Sequence, residues 1–320
     1  MLPEVALNDS FGSRLPLARA SIDRDHLSRT LGIEALLADP LARVVVLHDR
    51  LALLAEPGRL ALLSPGEVPS HDLALYLGRA VADEPGLAVG APVVALLVDD
   101  EVAATLSEGS ASAAWGDLRL LGSELSTRDA GLFTEALALA NWHASYGFSP
   151  RTGRPSAPDA AGWTRRDIES GAELFPRTDA AIIVGITDDD DRLLLGSNAL
   201  WEKNRFSLLA GFVEPGESLE AAVIREVYEE SGVRVTDPVY QGSQPWPFPA
   251  SLMVGFRARV ADGASTIGRP DGEEILELRW FTRDELAAAM GEIRLPGSTS
   301  IARAIIDDWY GGELPDRGRW

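Results

Sequence analysis

The stretch "SLLAGFVEPGESLEAAVIREVYEESGV" (207–233) commits this chain to a strand, a turn and a helix in immediate succession. "SLLAGFV" (207–213) is an apolar run of strand length, and "EPGES" (214–218) carries the Pro–Gly pair of a turn. Leu219 to Ser231 repeats its apolar residues at helical spacing, and Gly232 supplies the left-handed stop that commonly closes a helix. With Glu226 set at zero and about 100° added per residue, Leu219 falls at about 20°, Glu230 at about 40°, Val223 at about 60° and Val227 at about 100°. Glu226 and Glu230 therefore share the sector of the apolar stripe, whereas Glu229 lies about 60° to the other side. Carboxylates that face a core edge repel one another and lose hydration, so something must neutralise them. Arg225 is one candidate. A divalent cation is the other, because an i, i+3, i+4 set brings several hard oxygens within reach of one Mg²⁺ or Mn²⁺.

The whole chain reads as three pieces, the stretch above lying in the third. Residues 1–143 form an α+β domain, with strands at "ARVVVLHD" (42–49), "RLALLS" (59–64) and "APVVALLVDD" (91–100) and a helix at "DAGLFTEALALANWH" (129–143). This half carries no catalytic motif and suits a scaffold or dimerisation surface. Residues 144–174 are a connector rich in Pro, Gly, Ser and Asp. Residues 175–320 open with a hairpin, "AAIIVGIT" (180–187) and "RLLLG" (192–196), around "DDDD" (188–191), which reads as a solvated turn. Strands at 251–260 and 276–281 and a closing helix at 298–310 complete a mixed sheet covered by helices. No internal repeat is visible.

Bulk properties bound the function. A net charge of −20 argues against a nonspecific nucleic-acid binder, which needs excess Lys and Arg to displace counterions. It is compatible with phosphorylated ligands when a cation bridges carboxylates and phosphates. The absence of cysteine excludes disulfides and thiolate chemistry. The longest apolar stretch, "LAVGAPVVALLV" (87–98), is too short for a membrane span, and no signal peptide is evident, so the expectation is a cytoplasmic protein without membrane contact.

The stretch 211–233 also fits the pattern G-x5-E-x7-R-E-U-x-E-E-x-G-U, with U apolar, through Gly211, Glu217, Arg225, Glu226, Val227, Glu229, Glu230, Gly232 and Val233. This is the Nudix box, and the third piece resembles a Nudix hydrolase. The resemblance implies an α/β/α sandwich with a mixed sheet, and hydrolysis of a nucleoside diphosphate linked to another group. It implies metal ligation by Glu226 and Glu230, with Glu229 in the same catalytic cluster, and loop glycines that let backbone approach the diphosphate. Arg225 and Glu217 are implied to pair and orient the loop, with Gly211 and Gly232 as structural positions of the box.

Downstream, "SQPWPFPASLM" (243–253) sets two aromatic rings between three prolines, a stiff loop that suits either a rigid core turn or a stacking surface for a flat base. The S-Q-P-W-P-F-P-x-S array resembles the NADH pyrophosphatase branch, which cleaves NAD(H) to nicotinamide mononucleotide and AMP and in some members removes NAD caps from RNA. That resemblance implies Ala210 (through its carbonyl) and Glu274 as further metal ligands, with Glu273 an alternative to Glu274. It implies substrate contacts at Phe175, Phe212, Ser243, Gln244, Trp246, Ser251 and Ala302, and a homodimer. The cofactor is then Mg²⁺ or Mn²⁺, and the partner is NAD(H) or NAD-capped RNA. Another diphosphate substrate, such as ADP-ribose or a dinucleoside polyphosphate, and a non-catalytic NAD sensor remain the alternatives.

The branch usually carries a zinc ribbon. Here Ser149, Thr152, Asp167 and Ser170 stand at the four cysteine positions. Hydroxyls and one carboxylate make a poor tetrahedral zinc site, so the ribbon is expected to persist without structural zinc. His143, just before it, reads as structural.

Overall fold

The computed structural model describes residues 11–109 and 114–314. These divide into two compact units. One comprises residues 19–178 and 246–250, and the other 11–18, 179–245 and 251–314. The connector and the short loop 246–250 thus belong with the first unit.

The first unit holds strands β1 (Ile22–Asp23), β2 (Arg43–His48), β3 (Leu51–Glu56), β4 (Arg59–Leu60), β5 (Leu73–Ala80), β6 (Pro92–Leu97) and β7 (Ala114–Asp117). Its helices are α1 (Ile33–Leu37), α2 (Asp100–Glu108), α3 (Leu118–Leu121) and α4 (Thr127–Ser145). The sheet runs β1-β5-β6-β2-β3-β4, with β7 beside β3. β2 and β6 are parallel, Arg43 opposite Val93 through Leu47 opposite Leu97, and bury Val44, Val46, Val94 and Leu96. Such strands, covered on both faces, read as continuous apolar runs. The expected strand 59–64 reduces to β4 and a single bridge between Leu63 and Val44. The strands β3 and β5 were not read from the sequence. Helix α4 buries nearly every residue from Arg128 to His143.

Strands β8 (Ser156–Asp159), β9 (Thr164–Asp167) and β10 (Glu173–Leu174) make the small ribbon. Two turns of one design belong to it, one before β8 and one between β9 and β10. In the first, Ser149 N–H donates to Arg154 O, Gly153 N–H to Ser149 O, and Arg154 N–H to the Thr152 hydroxyl. In the second, Asp167 N–H donates to Ala172 O, Gly171 N–H to Asp167 O, and Ala172 N–H to the Ser170 hydroxyl. Gly153 and Gly171 take matching left-handed conformations, φ 69° and 70°. The buried Asp167 carboxylate joins the two turns: Oδ2 accepts the Thr152 hydroxyl at 2.5 Å, and Oδ1 accepts the Glu169 and Ser170 amides at 3.0 Å each. His143 anchors the module to α4, with Nε2 2.8 Å from Gly162 O and Nδ1 2.8 Å from Arg165 Nη1. An imidazole that accepts from a guanidinium at Nδ1 must donate from Nε2 and is neutral. Burial, with Arg165 beside it, lowers its pKa.

The second unit holds β11 (Asp179–Thr187), β12 (Leu193–Asn198), β13 (Leu209–Phe212), β14 (Val235–Trp246), β15 (Ser251–Val260) and β16 (Ile275–Phe281), with helices α5 (Leu219–Ser231), α6 (Arg283–Ala289) and α7 (Ile301–Tyr310). The last residue of β14, Trp246, clusters with the first unit. The order is β14-β15-β11-β12-β16, with β13 on β11. β11 and β15 run parallel, in register from Asp179 opposite Ser251 to Thr187 opposite Arg259. One core joins the sheet to α5 through Ala222, Val223 and Val227. The other joins it to α6 and α7 through Leu286, Ile301, Ile305 and Ile306. The sheet is therefore sandwiched between helices. At the β11–β12 turn, Asp188 departs from the solvated reading. Its side chain is buried, accepts the Asp190 and Arg192 amides and pairs with the Arg192 guanidinium at 2.6 Å.

The two large sheets share one wiring. β5-β6-β2-β3 and β14-β15-β11-β12 each place a parallel pair between outer neighbours, and the Leu63–Val44 bridge stands where β13 meets β11. The sequence conceals this repeat because pairing depends on alternation and turn placement rather than on residue identity. One element differs. Where the second unit has α5, the first has only a single 3₁₀ turn, Pro65–Glu67.

Candidate active site

The loop from β13 to α5 is built by its own side chains. The Ser218 hydroxyl accepts the Ala221 amide at 3.1 Å and caps α5, a contact typically worth about 1 kcal/mol. Gly232 ends the helix at φ 67°. Arg225 reaches back from the helix to clasp Glu217 through two bonds of 2.9 and 2.8 Å, and donates to Phe212 O at 3.0 Å. Glu217 also accepts the Glu214 amide at 3.1 Å. One guanidinium thus joins strand end, loop and helix, and its hydrogen bonds hold the Glu217 carboxyl below the usual range.

Three glutamates of α5 fare differently. Glu229 is exposed, at 58 % of its side chain, and pairs with Arg225 at 2.9 Å. Glu226 pairs with the same guanidinium at 2.9 Å and lies against Gly211. A Cβ at position 211 would fall inside the Glu226 carboxylate. Any side chain at position 211 would therefore displace the Glu226 carboxylate from the place it holds. Glu230 is only 5 % exposed, and its Oε2 has no hydrogen-bond partner. Desolvation first, then the charges of Glu274, Glu226 and Asp271, push its carboxyl up to about 8, against a backbone hydrogen bond at Ala210. Burial also raises Glu226, opposed by Arg225.

The charge of Glu274 bears on both Glu226 and Glu230. Its carbonyl accepts the Ala199 amide at 2.8 Å, and its Oε1 lies 3.4 Å from Asn198 Nδ2. Asp271, which the sequence reading missed, organises this turn: its Oδ1 accepts the amides of Glu273, Glu274 and Ile275 at 3.1, 3.1 and 2.8 Å. The signal was present in "DGEE", an Asp ahead of a Gly whose side chain can cap the following amides.

Among the described residues, no three His, Asp or Glu side chains already stand gathered as a metal-holding group. The donor set nevertheless fits a hard divalent cation. A buried carboxylate oxygen without a partner sits among like charges, and carboxylate oxygens are the ligands such ions take.

The remaining predicted residues separate. Phe212 and Phe175 are exposed, at 60 % and 68 %, as free aromatic surfaces. Ser243 and Ser251 are half-buried on β14 and β15. Gln244 is wholly buried and donates to Thr299 O at 2.7 Å, leaving its Oε1 without a partner. Ala302, in the first turn of α7, faces the core, so its small side chain is set by packing. Trp246 meets Phe248 edge-on, with ring centres 4.9 Å apart, in the loop that clusters with the first unit. Arg119 lies over Phe248 at 4.4 Å and over Trp246 at 5.6 Å.

Comparison with known proteins adds to this geometry. The NUDIX domain model matches residues 176–299, and a model of the NADH pyrophosphatase-like rudimentary NUDIX domain matches residues 41–142. The two matches fall on the two sheets of shared wiring. The "NAD-capped RNA hydrolase NudC" of Mycobacterium bovis (strain BCG / Pasteur 1173P2) is 40 % identical over 308 residues, spanning 92 % of this chain and 94 % of that protein. The protein of that name from Deinococcus radiodurans is 35 % identical over 273 residues, spanning 83 % and 89 %.

Proposed function

The chain belongs to the Nudix hydrolases, on their NADH pyrophosphatase-like branch, and from that premise we propose that it hydrolyses the diphosphate of NAD(H). The products are nicotinamide mononucleotide and AMP, one water being consumed. The same cleavage on a 5′ NAD cap leaves RNA with a terminal monophosphate. The observation that carries this reading is the carboxylate set on and beside α5, with the buried, unpartnered Glu230 Oε2 at its centre.

Glu226, Glu230 and Glu274, with the Ala210 carbonyl, would hold Mg²⁺ or Mn²⁺. The bound cation would supply charge stabilisation at the diphosphate and a more acidic water. Arg225 and Glu217 keep the loop fixed against the helix while substrate binds. Glu229 is the exposed carboxylate of the cluster and pairs with Arg225. Phe212 and Phe175 offer rings for stacking on a base, and Trp246 supplies the aromatic loop. The reading extends to a homodimer acting in the cytoplasm. No helix among the described residues is long and apolar enough to cross a membrane.

Product analysis after incubation with NADH, NAD⁺ and NAD-capped RNA in Mn²⁺ tests the proposal. AMP together with nicotinamide mononucleotide supports it. Cleavage of ADP-ribose or dinucleoside polyphosphates alone would move the assignment to another Nudix specificity, and no cleavage at high enzyme concentration would leave a binding protein.

A further inference from the structure

The loop 246–250 cannot organise itself. Pro247 and Pro249 lack amide hydrogens, as does Pro245 before them, so few donors are available to answer the loop's carbonyls. One local bond forms, from Phe248 N–H to Trp246 O at 2.7 Å. The other donors come from elsewhere in the first unit. Asn141, in the last turns of α4, directs its side-chain amide nitrogen at both Pro247 O (2.8 Å) and Pro249 O (3.2 Å). An NH₂ group has two hydrogens, and each serves one of these carbonyls. The two carbonyls bracket Phe248, the ring beneath the Arg119 guanidinium.

We infer that Asn141 is a positioning residue: it holds the two carbonyls on either side of Phe248 and so sets the Trp246 and Phe248 rings before substrate arrives. The inference rests on the reading above, in which this loop receives a base. A loop already ordered spares the entropy cost of ordering it on binding, so the benefit falls on affinity rather than on the chemical step. Glutamine would carry the NH₂ one methylene too far. Aspartate would face both carbonyls with an acceptor.

The test uses the full chain and two variants, Asn141→Ala and Asn141→Asp, with NADH as substrate. Both are expected to raise KM about tenfold with kcat within about twofold, Asn141→Asp at least as strongly as Asn141→Ala. A second measurement does not need turnover. With 5-fluorotryptophan incorporated, the Trp246 resonance, assigned by Trp246→Phe among the eight tryptophans, is expected to shift or broaden in both variants, while the other signals stay in place apart from that of Trp142 beside the substitution. A Trp246 signal and a KM unchanged in both variants would overturn the inference, as would a fall in kcat at constant KM. Loss of all tryptophan dispersion in Asn141→Asp would mean misfolding, and Asn141→Ala then decides. Should the wild-type chain leave NADH intact, the functional reading fails, while the fluorine spectra still decide whether Asn141 sets the loop.

Discussion

The carboxylate of Glu226 occupies the space that any side chain at Gly211 would need. The strand that opens the box and the helix that carries its glutamates are thus fitted to one another through a missing Cβ. Gly211→Ala is expected to push Glu226 away from the neighbouring carboxylates. kcat/KM should fall about a hundredfold, equivalent to about 2.7 kcal/mol of transition-state stabilisation. Steady-state kinetics beside a thermal melt make the check, and an alanine variant with wild-type kcat/KM would refute the relationship.

Arg225 makes two bonds to Glu217, one to Phe212 O, and pairs with Glu226 and Glu229. Lysine keeps the charge but has no planar fork to span these partners. Arg225→Lys is therefore expected to lower kcat/KM about tenfold or more, with increased protease sensitivity between residues 213 and 218. Limited proteolysis with mass mapping reads the second effect, and an unchanged cleavage pattern would count against the loop-fixing role.

Glu230→Gln keeps the shape of the buried side chain but removes its charge. Turnover with Mg²⁺ is expected to fall at least about a hundredfold, because a carboxylate that would hold the cation is lost. Full turnover in the glutamine variant would exclude Glu230 from the metal site.

Glu135, buried on α4 with Arg24 3.6 Å away, has its carboxyl pushed up to about 7 by desolvation, against the pull of Arg24 and Arg29. A raised carboxyl contributes stability that is complete below the unfolded-state pKa near 4.5, and this contribution is lost as pH rises through about 7. Glu135→Gln removes that dependence. Relative to the glutamine variant, the wild type is expected to lose up to about 3 kcal/mol between pH 4.5 and 8. Denaturation curves at both pH values, followed on the first unit's transition, measure it, and parallel pH profiles would show that Glu135 ionises freely.

Much of this architecture was legible in the sequence. Helix α5 runs from Leu219 to Ser231 as its periodicity predicts, with Ser218 and Gly232 as its caps. The angular argument separated its glutamates too: Glu230 is buried and Glu229 exposed. Local rules succeed there because cap, stripe and stop all lie within one short segment. They fail where the answer lies at long range. β14 contains Pro238 and Pro245 and was not read as a strand, yet it forms because it is the sheet edge, where a missing N–H breaks no ladder. Nothing local separates Glu273 from Glu274. What distinguishes Glu274 lies at long range: its carbonyl accepts the Ala199 amide, and its charge raises the carboxyls of Glu226 and Glu230. Asn141 and Pro247 lie 106 residues apart, beyond the reach of any motif.

Asp167 gives the small ribbon a fastening made of oxygen. Where thiolates would bind zinc, this chain closes its two turns with a carboxylate, hydroxyls and amides already present in the polypeptide. The same two turns are thus closed by groups of the polypeptide itself. An oxidant finds no sulfur there to attack, and a competing soft metal finds no thiolate to capture. On the reading proposed above, a divalent cation would then serve the reaction alone, and the ribbon's fastening would be untouched by a chelator.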